Sequence, residues 1–170
     1  MLNLLRRFSV IAALMFWQGG FTFYAAVVVP VGQENLGHEE QGFITREVTN
    51  YLNLAGAAAL LLLAWDVVET ADESRWRLWC RWLSWAGLLG TLAALVWLHP
   101  HLDRLLDLEA RQILNSEARR LFRPRHRMYL WLSTAQWICA VVYLVITLLA
   151  WKAQDSQRLK PLPETESLPG

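Results

Sequence analysis

Four long apolar stretches alternate with shorter polar and charged segments along the chain. A helix needs about 20 residues to cross the hydrocarbon core of a bilayer, which is about 30 Å thick. The apolar stretches come close to that length and lie at about 8–31, 48–65, 82–98 and 128–151. In lipid every backbone polar group must be satisfied within its own segment, which favours helices. The pattern predicts an all-α fold, a polytopic membrane four-helix bundle.

The connection between the third and fourth apolar stretches is the longest one. Its apolar residues recur at three- and four-residue steps, which is typical of an amphipathic helix. They are Leu102, Leu106, Ala110, Ile113, Leu114, Ala118 and Leu121. We predict an amphipathic helical hairpin at 101–122 that turns near Asn115 and Ser116, because both residue types favour helix caps. Its apolar stripe could lie on the membrane surface, pack against the first loop or contact another subunit.

The bundle is predicted to form one domain over residues 1–151. The remaining segment, 152–170, carries prolines among scattered charges and few large apolar residues. Such a composition cannot bury enough apolar surface to offset the entropy of ordering. We therefore expect a disordered C-terminal tail.

Composition agrees with a membrane protein and narrows its partners. The chain has 170 residues, of which 55% are hydrophobic and 18% charged, with a net charge of +1. This is more apolar than a soluble domain of that size. A nearly neutral chain does not suggest nucleic acid as a partner, so the expected partner is the lipid bilayer. Cys80 and Cys139 lie in or beside different apolar stretches and have neither metal-knuckle nor redox spacing.

Orientation depends on the positive residues that flank the spans. The 16 Lys and Arg residues divide evenly between the two sides. Arg6 and Arg7 precede the first helix, which usually dominates topology, and Arg81 is counted on the same side as a flanking charge. We expect both termini in the cytoplasm and the protein in a plasma or inner membrane.

Polar residues inside the spans are candidates for interhelical hydrogen bonds. They are Gln18, Thr22, Asn50, Asn53 and Gln136. Residues three or four apart share a helix face, so Gln18 and Thr22 form one pair and Asn50 and Asn53 another. Packing through these amides is the first interpretation. The alternative is a polar path for an ion or small solute, although no charged residue or histidine is expected deep in a span.

Small residues predict where helices approach closely. A ladder of Ala86, Gly90 and Ala94 runs along the third helix, Ala55, Gly56 and Ala59 lie on the second, and Gly19 and Gly20 lie on the first. We expect the second and third helices to contact the first through these faces.

Four histidines form the one candidate chemical site. His38, His99, His101 and His126 all fall on the same predicted side of the membrane. Imidazole is the commonest metal ligand, so these residues could bind copper or zinc, or His99 and His126 could hold a haem. No catalytic Ser-His-Asp set, pair of buried carboxylates or phosphate loop is found, and we expect neither enzymatic activity nor an obligatory cofactor.

Several residues of the spans also form a recognisable pattern. They are Trp17, Gly19, Gly20, Phe23, Val27 and Pro30 in the first helix, Asn53 and Gly56 in the second, the run Trp97 to Pro100, and Phe122 and His126. Over about residues 8–151 the chain resembles the family typified by transmembrane protein 205, small four-helix membrane proteins. The resemblance implies a polytopic bundle without an established catalytic activity, and it implies no active site.

These patterns leave two functional hypotheses. The first is a non-enzymatic integral membrane protein that serves as a structural, accessory or interaction subunit, with the hairpin at 101–122 contacting other membrane-protein subunits. The second is a small transporter or a metal- or haem-handling protein that uses the four histidines.

Overall fold

A computed structural model of the chain describes residues 1–110 and 116–158, and these residues form helices and no strand. The elements are α1 (Leu2–Leu14), α2 (Gly20–Phe23), α3 (Val29–Leu36), α4 (His38–Glu69), α5 (Arg75–Ala110) and α6 (Ser116–Arg158). Two π-helical turns, Met15–Gly19 and Tyr24–Val28, connect α1 to α2 and α2 to α3.

The elements α1 to α3 and their two π-helical turns form one continuous helical rod, which we call the N-terminal segment (Leu2–Leu36). It ends at Gly37, where the backbone turns into α4 with a φ of +93°. Side chains disfavour this φ and glycine does not, so the sharp reversal is possible at this position.

Within residues 1–110 and 116–158, four helices are long and apolar enough to cross a membrane. These spans are Leu2–Leu36, Glu40–Glu69, Arg75–Arg104 and Arg127–Arg158. The predicted all-α, four-helix membrane bundle is therefore confirmed, and the protein is a multi-pass membrane protein. Each helix continues past the apolar stretch that predicted it.

The core lies where the four spans meet. α5 packs most extensively against α6, α4 packs against α5, and α1 packs against α4. The buried side chains include Val10, Leu14, Trp17, Leu60, Leu63, Val67, Leu88, Leu92, Tyr143 and Trp151. Large apolar residues also cover the outside, among them Leu54, Leu83 and Trp131. An apolar exterior of this extent would be costly in water and is suited to lipid.

Close helix contacts use different small residues from those predicted on α5. Gly90 has no atom within 4 Å of where a Cβ would stand, and Ala86 is exposed. The predicted ladder is wrong because α5 buries the face that carries Leu88 and Leu92, and residues two positions away point to the opposite side. Gly87 instead lies against the Cys139 sulfur of α6.

On α4 the expectation of close contact with the first helix is met at Gly56. A Cβ placed there would come within 2.6 Å of Cε2 of Trp17, a side chain that is only 2% exposed. The indole therefore occupies the space that the missing side chain leaves open. Gly19, on the first helix, has no such neighbour.

The predicted hairpin at 101–122 falls on the end of α5 and the start of α6. Its predicted turn residue Asn115 lies outside the described residues, and Ser116 begins α6. The start of the tail differs from the prediction, because α6 continues to Arg158. Contacts of Asp155 with Arg7 hold this last part of α6, and residues 159–170 lie outside the described part of the chain.

Candidate functional site: a buried arginine–aspartate centre

Three charged side chains meet inside the bundle near the end that carries the N-terminus. Arg6 Nε lies 3.0 Å from Oδ1 of Asp66, and Arg81 Nη2 lies 2.5 Å from Oδ2 of the same carboxylate. The side chains of Arg6, Asp66 and Arg81 are 3%, 0% and 0% exposed. We call these three residues the charged centre.

Hydrogen bonds from neighbouring residues complete the surroundings of Asp66. Trp151, on α6, donates its Nε1–H to Oδ1 of Asp66 over 3.2 Å. Thr70 donates its hydroxyl to the same oxygen over 3.2 Å and accepts from Arg6 Nη2 over 3.3 Å. Donors from α1, α5 and α6 thus converge on one carboxylate of α4.

A second layer of hydrogen bonds lies on the inner side of the charged centre. Tyr143, on α6, donates its hydroxyl to the carbonyl of Leu63 over 2.8 Å. Trp85, on α5, donates its Nε1–H to the carbonyl of Leu60 over 2.9 Å. Both bonds use backbone oxygens of α4, so α4 is the acceptor for each of these neighbours.

Arg7 connects the N-terminus to the end of α6. Its Nη1 and Nη2 each lie 2.8 Å from an oxygen of Asp155, and Nη2 also donates to the side-chain oxygen of Gln154 over 3.1 Å. The guanidinium stands 5.3 Å from the centre of the Trp151 ring. These contacts place the N-terminus and the end of α6 at the same end of the bundle.

The charged centre holds two guanidinium groups and one carboxylate, so it carries one excess positive charge when all three groups are ionised. Removing charges from water is costly unless they are paired and hydrogen-bonded. Both carboxylate oxygens of Asp66 are occupied by donors, whereas Nε and Nη1 of Arg81 have no hydrogen-bond partner in the part of the chain that the structure describes. Chemically, the carboxylate acts as a shared acceptor between helices.

The turn that covers this end of the bundle is stabilised by its own ion pair. Arg77 Nη2 lies 2.7 Å from Oδ1 of Asp72, which also accepts from the backbone N–H of Ser74 over 2.9 Å. The hydrogen bond from Arg77, assisted by the one from Ser74, holds the pKa of the Asp72 carboxyl below its usual value, although burial opposes the shift. The carboxylate of Asp72 therefore stabilises the turn between α4 and α5.

The predicted polar packing residues divide into two groups. Gln18 and Gln136 are buried and Asn53 is half-buried, whereas Thr22 and Asn50 are exposed. Thr22 donates its hydroxyl to the carbonyl of Gln18 in its own helix, over 2.7 Å. Gln18 and Thr22 thus stay one turn apart on the N-terminal segment, but only the side chain of Gln18 is buried.

The predicted histidine site is not assembled among the described side chains. His38 is exposed at the start of α4, His99 Nε2 faces Asp103 Oδ2 at 3.5 Å, and His101 Nδ1 lies 3.1 Å from the carbonyl of Trp97. The side chain of His126 lies outside the described part of the chain. No group of three or more His, Cys, Asp or Glu that could hold a metal occurs among the described residues, and metal or haem binding stays a prediction.

Sequence reasoning missed the charged centre because it treated Arg6 and Arg81 as flanking charges and ended the second span at Trp65. The sequence nevertheless contained an indication of this site, because two of its charged residues have apolar neighbours on both sides. Asp66 stands between Trp65 and Val67, and Arg81 has Cys80 and Trp82 on either side. A single charge inside an apolar run must find a partner in the bundle, and here one acid and one base of this kind are available to each other.

A comparison with known protein families identifies one that the chain matches. The family described as "Domain of unknown function (DUF4149)" matches residues 12–110, which include Asp66 and Arg81 but not Arg6 or Trp151. Searches of curated proteins and of solved structures returned no match. Because the family match covers more than half of the chain, the protein belongs to the DUF4149 family.

Proposed function

We propose that the protein is a non-catalytic accessory or interaction subunit of a membrane assembly. In this proposal the four spans form a rigid anchor and the hairpin at 101–122 is the part that contacts a partner. The observation that carries the proposal is the convergence of α1, α5 and α6 on the Asp66 carboxylate of α4. This buried carboxylate is used to hold helices together, as an anchor requires.

The base of the hairpin is also bound to the bundle, which supports the proposal that the bundle holds the hairpin in position for a partner. Arg46, on α4, places its Nε 3.2 Å from Oδ1 of Asp103 and donates from Nη2 to the Asp103 carbonyl over 3.0 Å. α5 runs to Ala110 and α6 begins at Ser116, so both helices reach into the predicted hairpin. A helical pair held at its base loses less entropy on binding than a loose loop.

The proposal also includes the membrane orientation of the chain and its relationship to a known family. We place both termini in the cytoplasm of a plasma or inner membrane, with the hairpin on the opposite side. The proposed membership in the transmembrane protein 205-like family is supported by two of the residues that carry the resemblance, since Trp17 and Gly56 are direct neighbours.

Partner capture tests the proposal. The full chain would be cross-linked in its native membrane and purified, and the same would be done for a variant with Leu106→Ser, Ile113→Ser and Leu121→Ser on the apolar stripe. A matched control changes the acidic residues of the hairpin, with Asp107→Asn, Glu109→Gln and Glu117→Gln. We expect one membrane-protein partner cross-linked to the hairpin in the wild type and control and lost in the stripe variant. Equal recovery of that partner with the stripe variant would refute the hairpin as the contact.

A second candidate function is metal or haem handling by the histidines. It is supported by His99, whose buried Nε2 lies near the Asp103 carboxylate but has no hydrogen-bond partner within the described part of the chain. A carboxylate beside an imidazole is a common arrangement around metal ligands. The test is the visible spectrum and metal content of the purified chain, compared with a variant in which all four histidines are replaced by alanine. A Soret band or stoichiometric copper or zinc that the variant lacks would establish this function.

A further inference from the structure

Gln18 is a buried carboxamide without a partner in the middle of an apolar helix. The residue is 7% exposed, and neither its Nε2 nor its Oε1 has a hydrogen-bond partner among the described residues. Buried polar groups are nearly always hydrogen-bonded, so an unpaired amide calls for a specific explanation. Gln18 also lies in the π-helical turn Met15–Gly19, and such turns are frequent at functional sites.

A cavity of about 240 Å³ lies beside Gln18, between the N-terminal segment and α6. Gln18 forms part of its wall, together with Leu14 and Met15 on one side and Trp137 and Val141 on the other. Trp137 and Val141 are 46% and 40% exposed on the outer face of the bundle. The cavity is therefore reached from the lipid side.

The chemistry of the wall selects among possible occupants. A water molecule needs two to four polar partners, and an ion needs more, so apolar walls with one carboxamide suit neither. A carboxamide donates to a carbonyl and accepts from a hydroxyl. The volume is below the range of roughly 300–1,000 Å³ found for drug-sized ligands, which favours a compact molecule.

We propose that this cavity binds a compact lipid-soluble molecule that carries one hydroxyl or carbonyl group, and that Gln18 is the residue that recognises that group. The molecule enters from the bilayer between the N-terminal segment and α6. Its apolar body fills the space against Leu14 and Val141, and its polar group satisfies the Gln18 amide. The binding site is separate from the hairpin and from the charged centre.

Photolabelling of the purified full chain in lipid nanodiscs tests this site. The probe is 3-azioctanol, an eight-carbon alcohol with a photoreactive diazirine, and the matched probe is 3-azioctane, which lacks the hydroxyl. Three variants are compared with the wild type. Gln18→Leu removes the amide at similar volume, Gln136→Leu removes an equally buried amide of α6 that does not line the cavity, and Val141→Phe fills the entrance.

We expect the alcohol to label residues 11–19 and 137–144 in the wild type and in Gln136→Leu. Labelling should fall roughly three- to tenfold in Gln18→Leu, the factor that corresponds to one lost hydrogen bond. The hydrocarbon probe should label wild type and Gln18→Leu alike, and Val141→Phe should reduce labelling by both. Equal alcohol labelling of wild type and Gln18→Leu would mean that the cavity takes acyl chains without recognising a polar group. That result, or labelling no stronger than at other lipid-facing positions, would overturn the proposal.

Discussion

The carboxylate of Asp66 on α4 lies 2.5 Å from the guanidinium of Arg81 on α5, and neither side chain is exposed. Only a short turn separates the two helices at this end, so the ion pair closes the helical hairpin that α4 and α5 form. Arg6 and Trp151 bring the other two spans to the same carboxylate. One side chain of α4 therefore contacts all three of the other spans.

Because Trp17 packs directly against Gly56, adding even a methyl group at position 56 should destabilise the fold. A Cβ at position 56 would stand 2.6 Å from the indole, which is held inside the core. Gly56→Ala should lower the free energy of unfolding by about 1–3 kcal/mol through overpacking. Gly90→Ala is the matched control, since that position is open, and it should be neutral or slightly stabilising. Denaturant unfolding in detergent checks both variants, and equal loss of stability in the two would contradict the contact.

Removing the hydroxyl of Tyr143 should lower the unfolding free energy by less than Gly56→Ala does. Tyr143→Phe keeps the ring and leaves the Leu63 carbonyl without its α6 donor. The expected loss in unfolding free energy is about 0.5–1.5 kcal/mol, the usual net value of one hydrogen bond. Tyr51→Phe is the control, because Tyr51 is 73% exposed on the outside of α4. If both substitutions leave the unfolding midpoint unchanged, the hydrogen bond makes no net contribution.

The turn between α4 and α5 predicts a pH dependence. The pKa of Asp72 is lowered in the folded protein by its hydrogen bonds from Arg77 and Ser74. Its contribution should therefore be complete above the unfolded pKa of about 3.9 and should disappear as the pH falls through the lower folded value. The difference in unfolding midpoint between wild type and Asp72→Asn should be constant near neutral pH and shrink below about pH 4. A difference that grows on acidification would have the wrong sign.

Replacing the whole charged centre tests whether its charges stabilise the fold or specify its geometry. The triple variant Arg6→Met, Asp66→Leu and Arg81→Met keeps apolar volume and removes every charge of the centre. Buried ion triads replaced in this way are often neutral or stabilising. We expect the triple variant to have an unfolding free energy within about 1 kcal/mol of the wild type or above it. A loss of several kcal/mol would mean that the charges themselves supply net stability.

The number and type of helices could be predicted from the sequence because the hydrocarbon core fixes the length and polarity of each span. The faces of the helices could not, since lipid-facing and buried surfaces are about equally apolar. That is why Ala86 and Gly90 were expected in a helix contact although they point outwards. Gly56 was placed correctly because it lies on the same helix face as Ala59 and Leu60 of the core.

The candidate site was harder to predict than the fold. The π-helical turn Met15–Gly19 has no sequence signature, and Thr22 is exposed although Gln18, four residues before it, is buried. The charged centre joins residues from distant parts of the chain, and each of its charges lies near the end of an apolar stretch. At such positions an arginine can either reach out to the headgroups or turn inwards, and only the position of Asp66 decides between the two.

The central claim is that Asp66 is the buried counter-charge of Arg6 and Arg81, and the unfolding free energy of Asp66→Asn tests it most directly. The substitution keeps the shape of the side chain and leaves two buried guanidinium groups without a counter-charge. Asp155→Asn, which removes the partly exposed partner of Arg7, is the control and should unfold close to the wild type. We predict a loss of about 3–5 kcal/mol for Asp66→Asn. An unfolding free energy equal to that of the wild type and of the control would contradict the claim.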